Sequence, residues 1–253
     1  MKIALAQMQV VGGEPDKNLA RAGRRIEQAA SLGADLVLLP EALDFGWMHP
    51  SAWSGAGPIP GGETFAYLSA AAEKNRIHVC AGLVEQDGGR LYNSAVLLGR
   101  DGELLTRHRK INELEIAHEI YSRGTTAAAV CETEYGVIGL EICADGFAEH
   151  QWISRELCKL KADLILSPCA WAVEADFDPT VNVYGKIWRD NLAPVARECG
   201  VWIVACSNVG WITEGPWRGR KCIGNSMAFD TGGNEVLTGP FGEEADELLM
   251  IEI

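Results

Sequence analysis

The chain has 253 residues, 47% hydrophobic and 23% charged, with a formal net charge of −13. That balance can bury a sizeable core and weighs against nucleic acid or an anionic membrane as partner. No apolar run reaches bilayer-spanning length, and Met1–Gln7 turns polar too soon for a secretory leader, so a cytoplasmic setting is expected. Residues 2–9 alternate as a strand, and Gly12-Gly13-Glu14-Pro15 is a turn. Asp16 to about Leu32 reads as an amphipathic helix with Leu19, Ala22 and Ile26 on one face, closed by Gly33. Asp35–Leu39 is a buried strand running into Pro40-Glu41. Residues 44–62 form a loop rich in Gly, Pro and Trp, long enough to wall a pocket. A second helix covers 64–76.

Three strands follow, at 77–85, 91–99 and 103–109. Asp87-Gly88-Gly89 and Asp101-Gly102 between them are hairpin signals. Residues 111–124 read as helical, closed by Gly124. Strands are expected at 126–132 and 136–142, a helix at 149–161, and a strand at 162–167 that repeats the Ala34–Leu39 pattern and again ends in Pro. After an aromatic loop come a helix near 183–199, strands at 201–207, 221–230 and 234–238, and a closing strand at 248–253. The βαβ rhythm interrupted by hairpins predicts an α/β fold with mixed sheets. No linker or low-complexity stretch divides it, so one domain over 1–253 is expected.

Three chemically capable side chains fall at strand ends, where open α/β folds place their sites: Glu41, Lys110 and Cys143. Gly136–Ile142 is a mostly buried strand, and Cys143 followed by Asp145-Gly146 reads as a sharp turn that exposes a sulfur beside free backbone N–H groups. A thiolate attacks an acyl or imidoyl carbon, a carboxylate moves protons, and a lysine stabilises developing negative charge. None of the five histidines stands at a strand end in the same way. The eight cysteines, at 80, 131, 143, 158, 169, 199, 206 and 222, include no CxxC and no zinc spacing. Most lie in apolar runs, as reduced core thiols do. No metal or cofactor is expected, and no second cysteine lies close to Cys143 in sequence to serve a redox cycle.

These residues resemble the nitrilase (carbon–nitrogen hydrolase) superfamily, and its amidase-like branch in particular, over nearly the whole chain. Ile3–Gln7 resembles its first strand, Gly33–Glu41 its glutamate motif, Arg109-Lys110-Ile111 its lysine motif, and Gly139–Asp145 its nucleophile motif. Tyr121–Gly124, Ser207–Gly210 and Gly224-Asn225-Ser226 resemble later markers. The resemblance implies a four-layer α-β-β-α sandwich that dimerises. It implies Cys143 as nucleophile, forming a thioester, Glu41 as general base, and Lys110 with the backbone N–H of Ala144 holding the oxyanion.

The sequence departs from the family pattern twice. The family often has a second glutamate seven residues after the lysine; that slot is Ala117 here. Glu113 is the favoured substitute, one helical turn back, over Glu119, which a helix would point elsewhere. After the nucleophile, many relatives have Cys-x-Asp-x-Arg-Phe, whereas Cys143-Ala144-Asp145-Gly146-Phe147 has no arginine, which favours a neutral amide over a carboxylated one. Trp171 and Asn208 are expected to line the site, while Trp188, Trp211 and Trp217 are open between pocket and core. Glu141 is open between a place near the site and a pairing with lysine. The expected activity is hydrolysis of a small amide, with a nitrilase as the alternative and a non-catalytic interaction module as the alternative of another class.

Overall fold

A computed structural model describes residues 1–127 and 129–253. In chain order it contains β1 (Lys2–Gln7), α1 (Pro15–Ser31), β2 (Leu36–Leu38), α2 (Ala52–Gly55), α3 (Glu63–Asn75), β3 (His78–Asp87), β4 (Arg90–Leu98) and β5 (Leu104–Arg109). Then come β6 (Val130–Thr133), β7 (Gly136–Leu140), α4 (Trp152–Lys159), β8 (Leu164–Cys169), β9 (Ala172–Val173), α5 (Lys186–Cys199), β10 (Trp202–Ser207), β11 (Val209–Trp211), β12 (Lys221–Ile223), β13 (Met227–Phe229), β14 (Glu235–Thr238) and β15 (Glu247–Glu252). One six-stranded sheet runs β15-β1-β2-β3-β4-β5, the other β14-β13-β10-β8-β7-β6, and β11-β12-β9 form a small third sheet.

Each large sheet has a parallel centre and antiparallel flanks. In the first, β1, β2 and β3 are parallel, and β15 and the β3–β4–β5 meander are antiparallel. In the second, β7, β8 and β10 are parallel, while β6, β13 and β14 are antiparallel. Alternation along β1 sorts the layers. Ile3 and Leu5 join the core between the sheets, with Leu164 and Ile203 of the second sheet. Ala4 and Ala6 face the other way, into the core that holds Leu19 and Ile26 of α1 and Leu68 of α3. On the far side α4 and α5 bury Leu157, Leu192 and Val195. The result is the four-layer α-β-β-α sandwich. Each fully buried Leu or Ile in it contributes roughly 1.5–3 kcal/mol. Among the described residues no helix is long and apolar enough to cross a membrane.

Several expected elements differ. Residues 111–124 are not a helix; only a 3-10 turn, Glu115–Glu119, forms. The reason is competition for backbone donors: the N–H groups of Ile111 and Asn112 go to Asp145 Oδ1, at 3.1 and 2.7 Å, and the segment is pinned at both ends, where Lys110 N–H donates to Asn93 O and Gly124 N–H to Lys110 O, each at 2.8 Å. The expected strand 126–132 spans residue 128, which lies outside the described residues, and pairing begins at Val130. The strand expected over 221–230 breaks into β12 and β13, which belong to different sheets. Gly224 makes the break with φ 64°, and a Cβ there would sit 2.3 Å from the Gln7 side chain.

Candidate active site

Glu41, Lys110 and Cys143, expected on sequence grounds, all line one cavity of about 200 Å³. Glu41 lies three residues beyond the end of β2 and Cys143 three residues beyond the end of β7. Lys110 follows β5 directly. Cys143 opens a 3-10 turn, Cys143–Phe147, with φ 45°, a left-handed conformation that a residue with a Cβ rarely adopts. Its N–H donates to Ser167 Oγ at 3.1 Å, which helps hold the turn against that strain.

Glu41 is buried, and its Oε1 accepts hydrogen bonds from Asn93 Nδ2 and Lys110 Nζ, both at 2.6 Å. Among the described residues no hydrogen bond occupies Oε2 of Glu41, so that oxygen is the one free to exchange a proton. Burial opposes the charge on Lys110, but the carboxylates of Glu41 and Glu113 prevail and hold its pKa well above the usual lysine range. Glu113 Oε2 lies 3.9 Å from Lys110 Nζ, and neither of its oxygens has a hydrogen-bond partner among the described residues. Burial pushes the Glu113 carboxyl up to about 8, only partly offset by the lysine. Glu113 therefore stands behind Lys110, though no helix carries it there. Glu119 is exposed, and Ala117 is buried.

Asp145 ties the cysteine turn to the lysine loop. Besides the N–H groups of Ile111 and Asn112, it accepts from Ile142 N–H at 3.0 Å, and its Oδ2 lies 2.7 Å from His108 Nε2. Asn112 Nδ2 donates in turn to Ala144 O at 2.6 Å. Burial opposes the charge of Asp145, but these partners, His108 foremost, hold its carboxyl below the usual range. Beneath the turn, Glu141 is fully buried and accepts from Ser154 Oγ at 2.5 Å; among the described residues its other oxygen has no partner and no lysine pairs with it. Burial raises it to about 8.

The basic cluster 107–110 is split by strand alternation. His108 and Lys110 turn inward to the site, while Arg107 and Arg109 turn to Glu85, at 2.6 Å each. That period was readable in the sequence, though the partners were not. Asn93 was missed as well; its only sequence signal is a polar pair, Asn93-Ser94, inside an apolar strand.

Trp171 lines the cavity, stacked on Trp188 with centroids 4.2 Å apart and planes at 22°. Trp47 packs on Trp217 at 4.5 Å on another part of the wall. Ala144 lies on the lining beside Cys143. Asn208 does not; it lines a separate crevice that also contains Trp211, and the two spaces share Trp47. Trp171 is anchored from the first strand outward. Its backbone N–H donates to Ser207 Oγ (2.9 Å), Ser207 backbone N–H to Ser226 Oγ (3.0 Å), and Ser226 Oγ to Gln7 Oε1 (2.9 Å). Cys169, remote from Cys143 in sequence, is buried, and its Sγ lies 3.2 Å from Ser167 O. No cysteine is close to Cys143 in sequence, but β8, which ends at Cys169, runs parallel beside β7.

Comparison with known proteins bears on this geometry. A family model described as carbon–nitrogen hydrolase matches residues 2–253. A nitrilase from Pyrococcus abyssi is 34% identical over 231 residues, covering 90% of this chain and 80% of that protein. A chloroplastic omega-amidase from Arabidopsis thaliana is 35% identical over 267 aligned residues, covering 98% of this chain; the chain spans 66% of that relative's length, just under two thirds. Among solved structures, a carbon–nitrogen hydrolase from Helicobacter pylori G27 superposes with a TM-score of 0.87 at 20% identity, covering 99% of this chain and 88% of that one, which is a likeness of fold.

Proposed function

The chain belongs to the carbon–nitrogen hydrolase family, and from that premise we propose that it hydrolyses a small amide through a thioester on Cys143. The observation that carries this reading is the convergence of Glu41, Lys110 and Cys143 on one cavity. Cys143 Sγ attacks the amide carbon as Glu41 Oε2 takes the thiol proton. The oxygen becomes an oxyanion, held by Lys110, whose three N–H donors leave capacity beyond its bond to Glu41, and by the Ala144 N–H. Collapse breaks the C–N bond, and Glu41 returns its proton to the leaving ammonia. A water, deprotonated by Glu41, then attacks the thioester; the C–S bond breaks, the carboxylic acid leaves, and Glu41 returns the proton to the Cys143 thiolate. Glu113 acts through Lys110, setting the charge around it.

We read the chain as a single domain and, from the family likeness, as a homodimer; a clean monomer by light scattering at micromolar concentration would overturn the latter. Eight free cysteines, most of them buried, fit a reducing cytoplasm. The test of the reaction is ammonia release from a panel of amides and matching nitriles by wild type and Cys143→Ala. Release from amides that the substitution reduces to background is expected. Release from nitriles alone would replace the amidase reading with a nitrilase, the name the Pyrococcus abyssi relative carries. Release from neither, with no covalent adduct trapped on Cys143, would favour the interaction-module alternative.

A further inference from the structure

We propose that the acyl group taken by this cavity is an uncharged aromatic ring, as in an arylacetamide; the inference rests on the reading of Cys143 as nucleophile. The first ground is the wall. Trp171 and Trp188 stack at 4.2 Å, Phe147 sets its edge against Trp188 at 4.9 Å, and Trp47 and Trp217 pack at 4.5 Å, all lining the cavity that contains Cys143. These five aromatic side chains on one lining favour a flat ring, which packs against such groups through offset stacking and edge contacts.

The second ground is charge. Among the described residues the ionisable groups other than cysteine and tyrosine on the lining are Glu41 and Lys110, which bond each other at 2.6 Å, and Lys110 also faces Glu113. Among the described residues no second cation lines the cavity to meet a substrate carboxylate, which would enter an apolar space without a counter-ion and beside like charge. The third ground is size. A cavity of roughly 150 Å³ takes benzene, and this one measures about 200 Å³, room for a ring and a carboxamide.

The experiment compares phenylacetamide, propionamide and succinamate in two ways: ammonia release by wild type, and binding to Cys143→Ala followed by quenching of tryptophan fluorescence, for which four tryptophans of the wall are the reporters. Phenylacetamide should exceed propionamide by at least about thirtyfold and succinamate by at least about a hundredfold in kcat/KM, with the same order in binding. Succinamate equal to or better than phenylacetamide in either assay overturns the inference and leaves the amidase reading standing. So does propionamide equal to phenylacetamide. If the binding order holds while wild type releases no ammonia, the amidase reading fails and the aromatic site stands. If Cys143→Ala binds none of the three at millimolar concentration, the inference is overturned.

Discussion

On the floor of the cavity, side chains are fixed by hydrogen bonds: Asp145 meets four donors and Glu41 two, from segments as far apart in sequence as residues 93, 108 and 142. On the walls the contacts are ring on ring, and among the described residues the one hydrogen bond between wall side chains joins Trp188 Nε1 to Tyr184 Oη at 3.0 Å. The floor grows from the ends of β2, β5 and β7; the walls come from α5, the turn after Cys143 and the loops around Trp47, Trp171 and Trp217. Hydrogen-bonded charges have narrow distance and angle optima, so in the proposed reaction the floor would set whether chemistry proceeds. Stacked rings slide at little cost, so in the proposed site the walls would set what enters.

The sharpest test of that division removes the cation. Lys110→Met should lower kcat about a thousandfold, the loss of an oxyanion donor together with the partner of Glu41. A steady-state assay showing kcat within tenfold of wild type would break the assignment of the floor to chemistry. Next in size, Asp145→Ala strands four donors in the interior. A loss of about 3–5 kcal/mol is expected, seen as a fall in Tm on the order of 10 °C. Asp145→Asn, which keeps one acceptor oxygen, should lose less. An unchanged melt for both would mean the turn is held by something else, such as the Ser167 bond to Cys143.

The same division explains what could be read from the sequence. Glu41, Lys110 and Cys143 were visible because a charged or nucleophilic residue at the end of an apolar run is a local pattern. An α/β fold with mixed sheets was visible in the βαβ rhythms and their hairpin punctuation, while the four-layer sandwich followed from the family resemblance. Asp145 with His108, and Asn93 with Glu41, were not visible, because pairing across 37 or 52 residues leaves no local trace. The helix expected over 111–124 failed for the same reason: its first donors are claimed by a side chain from another part of the chain. The tryptophans could be counted but not placed, since a Trp in a loop reads alike whether it faces a core or a pocket. Trp211, equally plausible in sequence, is half-exposed beside a different crevice.

A smaller effect probes the walls. Trp217→Leu should raise KM for an aromatic amide about tenfold while kcat falls less than about threefold, because a ring face is lost and no reacting group moves. A kcat loss equal to that of Lys110→Met would erase the distinction between wall and floor.

The smallest effect is a slope. The interior buries carboxyls that titrate late: Glu113 and Glu141, each raised from 4.5 to about 8, and Asp44, raised from 3.8 to about 7, all by burial. A carboxyl raised in the folded state keeps its proton where the unfolded chain has already released it. Between about pH 4.5 and 8 folding therefore takes up protons, and raising the pH opposes it. Stability carried by these groups is present in acid and is lost as pH climbs toward 8, the reverse of what Asp145 does with its lowered carboxyl. Each group contributes a slope of at most about 1.4 kcal/mol per pH unit, so Tm should fall by about 3 °C per unit for one group. Glu141→Gln removes one such group without touching the cavity lining. Its melting curves at pH 5, 6, 7 and 8 should show a shallower decline than wild type, with the share of Glu113 and Asp44 remaining. Parallel curves for the two proteins would mean that Glu141 is not held neutral by burial, and that the floor tolerates charge there as freely as a solvated surface does.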